Sequence, residues 1–291
     1  MKFQVFKFSS FLFFLIYAIN LYPQGPCGTT PPVSHVFASP VSSSSPFQTS
    51  YSLPIHFYII TSNGALPGIN EIVFPYNPVQ QIRDAINYAN TVYAPANISF
   101  YPSAFTFHES SSLYNNGTNV VALYNAIHDD DAINVYIVND YIAEPGVKGR
   151  AIHPDPEFPI NNALTIIATS DLNYTSVLSH ELGHYFNLLH TFHGTAYLTL
   201  PETDCSEQGD KICDTPQDAV SFEGCPNTIF TCSGNCNFDC SSTPCEIRDL
   251  RIMPPNNNLT NSFAPDKKNI MSYFLNCGLD HFSPNQLQKN L

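Results

Sequence analysis

Residues 179–194 read SHELGHYFNLLHTFHG, and this segment restricts the fold more than any other stretch of the chain. His180 and His184 lie four apart. On a helix that spacing stacks two side chains on one face, with Cβ atoms about 5–6 Å apart. Val177, Leu178, Leu182 and Phe186 supply an apolar side, and the pattern predicts a helix from about Tyr174 to Phe186. His190, six positions past His184, would sit about 9 Å further along a continuous helix and off the histidine face. For the three rings to meet, the backbone has to turn between them. Asn187 stands at the natural breaking point, since Asn, after Gly, most readily takes the left-handed conformation that ends helices.

Three imidazoles brought together in this way are a ligand set for one tetrahedral zinc ion, at bond lengths of about 2.0–2.1 Å. Glu181 projects beside them. It can take a proton from a water polarised by the ion and later hand it to a leaving amine. A bare His-Glu-x-x-His arises by chance in many helices; the third histidine at this offset makes coincidence much less common. His193 reads as a residue at the rim. A competing scheme takes a downstream carboxylate as third ligand, and Glu202 lies within range, but its Leu-Pro-Glu-Thr-Asp-Cys setting is loop material rather than a second helix.

The formal net charge of -13 argues against a nucleic-acid partner, which needs a basic face, and against docking on anionic membranes. Lys2 and Lys7 followed by the almost wholly apolar stretch Phe8 to Ile19 read as an export signal, too short to span a bilayer. The expected organisation is a signal peptide over 1–24, a Ser/Pro/Thr-rich linker or short pro-segment over 25–50, and one catalytic domain over 51–291. That domain divides into an upper part, 51–190, and a lower part, 191–291. After signal cleavage no membrane attachment is expected, and the chain is expected to be secreted. Eight cysteines between Cys205 and Cys277 form an even cluster that an oxidising compartment would close into disulfides, with pairing open. A second zinc site on Cys232, Cys236, Cys240 and Cys245 is the rival, at spacings unlike the common Cys-x2-Cys pairs. Cys27 is left over.

Upstream of the histidines the pattern alternates. Leu53 to Thr61, Ile98 to Tyr101, Ile133 to Val138 and Ala163 to Ala168 read as strands, with Lys148 to His153 a short edge strand. Val79 to Tyr93 reads as a helix, since Ile82, Ile86, Ala89 and Tyr93 share one face. Beyond Thr191 periodicity fades and cysteines accumulate. The expected architecture is α/β (α+β): a twisted mixed sheet with two long helices above a cleft, and an irregular, disulfide-rich lower part.

Several segments together resemble the pappalysin family of metzincins. Leu178 to Phe192 (LSHELGHYFNLLHTF) resembles its zinc helix, with Asn187 where the metzincin pattern has Gly. Gly209 to Pro216 (GDKICDTP), Asn269 to Tyr273 (NIMSY) and Phe282 to Gln286 (FSPNQ) resemble, in order, its Gly-Asp-x-x-x-Asp-Thr-Pro element, its Met-turn and the start of its last helix. The likeness runs from about Leu53 to Leu291. It implies that Met271 lies beneath the histidines and that Tyr273 hydrogen-bonds the oxyanion. It also implies calcium at Asp210, Cys213 and Thr215. Relatives that cleave beside basic residues carry an acid soon after the Met-turn tyrosine; Phe274 to Cys277 has none, so that preference does not transfer.

The reading is a zinc endopeptidase whose peptide substrate lies extended along the edge strand near Gly149 to His153. Two others were weighed: a catalytically silent zinc-containing extracellular binding protein, and a disulfide-rich adhesion module with an accidental motif. Oligomeric state stays open.

Overall fold

The computed structural model describes residues 49–67, 78–117, 119–140, 147–153, 163–167, 176–193, 205, 209–216, 236–239, 260–263, 266, 268–273 and 278–289. The export signal, most of the linker, Cys27, Glu202 and Phe274 to Cys277 lie outside them.

The first strand, β1 (Tyr51–Thr61), is buried on both faces along its second half. It pairs in parallel with β2 (Ile98–Glu109) on one side and with β3 (Ile133–Val138) on the other; β5 (Ala163–Ile167) follows β3 in parallel. β4 (Gly149–Ala151) runs antiparallel to β5 and ends the order β2-β1-β3-β5-β4. Every residue of β3 is buried, as a central strand covered on both faces requires. The mixed sheet and the edge position of β4 agree with the sequence reading.

Two layers cover the sheet. On one face, Ile55, Phe57 and Ile59 pack with Ile82, Ile86, Ala89 and Val92 of α1 (Pro78–Tyr93) and with Val177, Leu178 and Leu182 of α3 (Ser176–Tyr185). The opposite face is a separate cluster of Tyr58, Ile60, Tyr136 and Val138, joined by Val120 and Leu123 of α2 (Val120–Ala126). Tyr93 ties the two long helices together, its hydroxyl donating to the Ser179 carbonyl at 3.0 Å. Asn90 ties α1 to β2, its side-chain amide bonding both the Phe100 N–H (2.6 Å) and its carbonyl (3.0 Å).

β2 runs eight residues beyond the Tyr101 at which sequence reading stops it. Pro102 pairs with Ile55 and Ala104 with His56, so Ser103 is an extra residue taken up by a bulge. A proline is tolerated there because β2 is an edge strand. The lower part contributes β6 (Cys236–Asp239) antiparallel to β7 (Thr260–Phe263) and the short helix α4 (Pro284–Lys289). Among the described residues one disulfide is seen, Cys205–Cys213, in keeping with the bridged reading of the cluster. No helix among them is long and apolar enough to cross a membrane.

Candidate metal centre

Helix α3 ends at Tyr185, and the backbone then reverses. Asn187 takes the left-handed conformation at φ 67°. The Asn187 N–H reaches the His184 carbonyl (2.8 Å) and the Leu188 N–H the Gly183 carbonyl (2.9 Å), closing the helix end. The turn falls where the spacing of the histidines demands it and swings His190 back onto the face shared by His180 and His184.

The three Nε2 atoms converge, with separations of 3.2 Å (His180–His184), 3.0 Å (His184–His190) and 3.2 Å (His180–His190). A tetrahedral ion with Zn–N bonds of about 2.0–2.1 Å sets its corners roughly 3.3–3.4 Å apart, so the spacing fits zinc closely. The far nitrogens are spoken for. His180 Nδ1 donates to the Ile270 carbonyl (2.7 Å) and His184 Nδ1 to the Leu188 carbonyl (2.8 Å). Those bonds put the proton on Nδ1 and leave the Nε2 lone pair aimed at the centre. Burial holds the rings neutral: it lowers His180 to about 4, and it pushes His184 and His190 well below the ordinary imidazole range, with the neighbouring rings adding to the shift. This is the one group of three or more potential metal-ligating side chains among the described residues.

Around this centre the structure places the remaining expected residues. Glu181 is 1% exposed. Tyr273 lies edge-on to His190, ring centroids 5.0 Å apart, and 6.1 Å from His180. Met271 is fully buried; its N–H is held by the Asn269 side chain (2.9 Å), and its carbonyl accepts from the Thr191 N–H (3.2 Å). The turn Asn269 to Tyr273 supplies the Ile270 carbonyl that orients His180.

Two neighbours escaped the sequence reading. Phe192 stacks on His190 at 4.7 Å with 9° between the planes. The His153 ring sits 5.1 Å from that of His184. Only their places in the segments HTF and GRAIHP hinted at either.

Gly183 leaves room for Met271: a Cβ there would collide with the thioether sulfur and press on Phe282 at 3.4 Å. Gly183→Ala in an exposed helix would raise stability by up to about 1 kcal/mol. Here overpacking of about 1–3 kcal/mol should win, and calorimetry should show Tm falling by a few degrees.

The turn is braced from outside. The Ile270 N–H donates to the His281 carbonyl at 2.8 Å. The His281 ring bonds Asp280 through Nδ1 (2.5 Å) and Asp266 through Nε2 (2.6 Å), while Lys268 pairs with Asp280 at 2.8 Å. Partial burial works against the imidazolium, but the two carboxylates outweigh it and raise its pKa. A raised folded pKa means that the brace is fully present below the unfolded value, about 6.5, and is lost as pH climbs through the folded one. With the ring 46% exposed the effect is small. Tm should drop by about 2 °C across that alkaline window, and His281→Asn should flatten the dependence.

The Gly209–Pro216 element clasps α4. Asp210, 3% exposed, accepts from the Ile212 N–H and from the Gln286 side-chain amide, both at 3.0 Å. The Thr215 hydroxyl donates to Ser283 (3.3 Å); Cys213, on the exposed side, closes the disulfide. Asp214 accepts from the Ser283 hydroxyl (2.7 Å) and the Asn285 N–H (2.8 Å). Ser283 and Gln286 complete a reciprocal cap at the start of α4.

Comparison with known proteins follows the same line. The family model described as Peptidase M43, pregnancy-associated plasma protein-A, matches residues 116–242. An extracellular metalloprotease of Sordaria macrospora is 25% identical over 204 residues, 66% of each chain. Extracellular metalloprotease 1 of Coccidioides posadasii is 29% identical over 171 residues, 53% of this chain and 56% of its own. The chain thus spans about two thirds or less of these curated relatives. Mature mirolysin of Tannerella forsythia, solved with a cleaved peptide, superposes with a TM-score of 0.51 at 17% identity, over 83% of this chain and 90% of that one. That likeness shows that the two chains share a fold.

Proposed function

We propose that the chain is a secreted zinc-dependent endopeptidase of the pappalysin family, whose machinery is His180, His184, His190, Glu181 and Tyr273. One observation carries the reading: three neutral imidazoles converge to 3.0–3.2 Å, two of them with their Nδ1 protons engaged by backbone carbonyls.

Zinc bound there supplies a Lewis acid that polarises the scissile carbonyl and brings water to a pKa of about 7. Glu181 accepts the proton of the attacking water and passes it to the leaving amine. Its place next to His180 on α3 and its 1% exposure support that role. The Tyr273 hydroxyl donates to the oxyanion that forms on the substrate. Met271 packs as a hydrophobic base under the rings, the Met-turn role, and Phe192 holds the His190 plane. The substrate lies extended along β4, adding a strand to the sheet edge, which brings its backbone past Glu181. For calcium, Asp210, Cys213 and Thr215 stay the candidate ligands. The ion would reinforce a clasp already closed by hydrogen bonds, so its removal should matter less to stability than that of zinc.

The apolar stretch after Lys2 and Lys7 and the relatives named extracellular support secretion. We retain the division into signal 1–24, linker 25–50 and catalytic domain 51–291 as part of the proposal. The test is to map cleavage of a peptide library by the zinc-loaded chain, by the chelated chain, and after zinc is restored. Cleavage that vanishes on chelation and returns with zinc supports the proposal; a zinc-loaded chain that cuts nothing marks a silent binding protein instead.

A further inference from the structure

The edge strand and the glutamate are in closer contact than a peptide-binding strand requires. A Cβ built on Gly149 would stand 2.5 Å from Glu181 Oε1, 2.8 Å from its Cγ and 2.9 Å from its Cδ. Real Cβ atoms do not approach this closely, so the space that a side chain at 149 would fill is the space that the carboxylate occupies. Backbone conformation does not explain the glycine. Its φ lies outside the left-handed region, and it pairs with Ile166 in an ordinary antiparallel register. Glycine in a strand weakens it relative to alanine, so local preference favours a side chain here. Nor can the carboxylate easily swing away: Glu181 is 1% exposed, and its Cα is fixed by α3.

We propose that Gly149 is a positioning residue for Glu181, its missing side chain being the seat that holds the carboxylate against β4. The inference rests on the reading of Glu181 as general base. It adds that the strand offered to the substrate and the base are set by one contact, so base and peptide backbone share a reference surface. A Cβ at 149 pushes the carboxylate off its seat, and the three atoms nearest to it all belong to Glu181 and none to a histidine.

The test uses the full zinc-loaded chain and three variants: Gly149→Ala, Glu181→Ala and the double variant. In Gly149→Ala, kcat on a fluorogenic peptide library should fall about 10²-fold, as for a reacting group displaced by about 1 Å. KM should stay within about threefold, and zinc should be retained. Thermal denaturation supplies a readout independent of activity. Gly149→Ala should lower Tm when Glu181 is present and leave it equal or higher in the Glu181→Ala background. A kcat within about threefold of the parent overturns the proposal. So does the same loss of Tm in both backgrounds, which would mark a plain strand effect. Should Gly149→Ala alone fail to fold, recovery of folding in the double variant supports the proposal and its failure there overturns it. The base reading fails separately, through Glu181→Ala that still turns over.

Discussion

Glu181→Ala is expected to lower kcat by about 10²–10⁴-fold while zinc stays bound. The two halves of that result have separate physical causes. Glu181 is no part of the converging nitrogen set, so deleting its carboxylate leaves three neutral imidazoles with their orienting carbonyls. What is lost is the acceptor for the proton of water and the donor to the leaving amine. Glu181→Gln is the sharper companion, since it keeps shape and burial and removes only the basicity. Zinc content by elemental analysis and turnover on cleaved library peptides read both halves. Turnover unchanged in either variant would sink the assignment of the base.

The second large effect concerns stability. Zinc binds the folded site and only weakly an unfolded chain, so it should stabilise by mass action. At a concentration a thousand times Kd that amounts to about 4 kcal/mol. At about 2–4 °C per kcal/mol for a domain of this size, chelation should lower Tm by roughly 10 °C. His190→Ala should abolish that response. His190 arrives only by way of the Asn187 turn, and without it two ligands remain on one helix face. Its loss should cost affinity beyond the 10–100-fold typical of residues that merely orient a ligand. A His190→Ala chain whose Tm still responds fully to chelator would place the third ligand elsewhere.

How much of this could be read beforehand depends on how local each cause is. The zinc helix was legible because periodicity, the histidine spacing and a helix-ending asparagine lie within fifteen residues or so. The central strand Ile133–Val138 was legible because burial on both faces leaves a largely apolar run, interrupted only by Asn134. β2 was cut short at Tyr101 because Pro102 and Ser103 read as a break, and the bulge that absorbs them exists only through pairing with Ile55 and His56. α2, seven residues long, was too short for a periodic signal, although Asn119, whose side chain accepts from the Ala122 N–H, marks its start. Phe192 and His153 were invisible as neighbours of the metal ligands, since nothing in sequence says which ring a side chain will face. The closeness of Gly149 to Glu181 comes from two elements brought together only by packing.

Gln286 has a wider reach than its place in a short helix suggests. Its carbonyl oxygen accepts from the Asn269 amide (2.8 Å), and its own amide donates to Asp210, 76 residues earlier. Asn269 in turn holds the Met271 N–H. One side chain thus links the Asp210 element to the turn that carries Met271. A substitution at Gln286 would therefore loosen the Asp210 element and the turn that orients His180 together, although it touches no histidine.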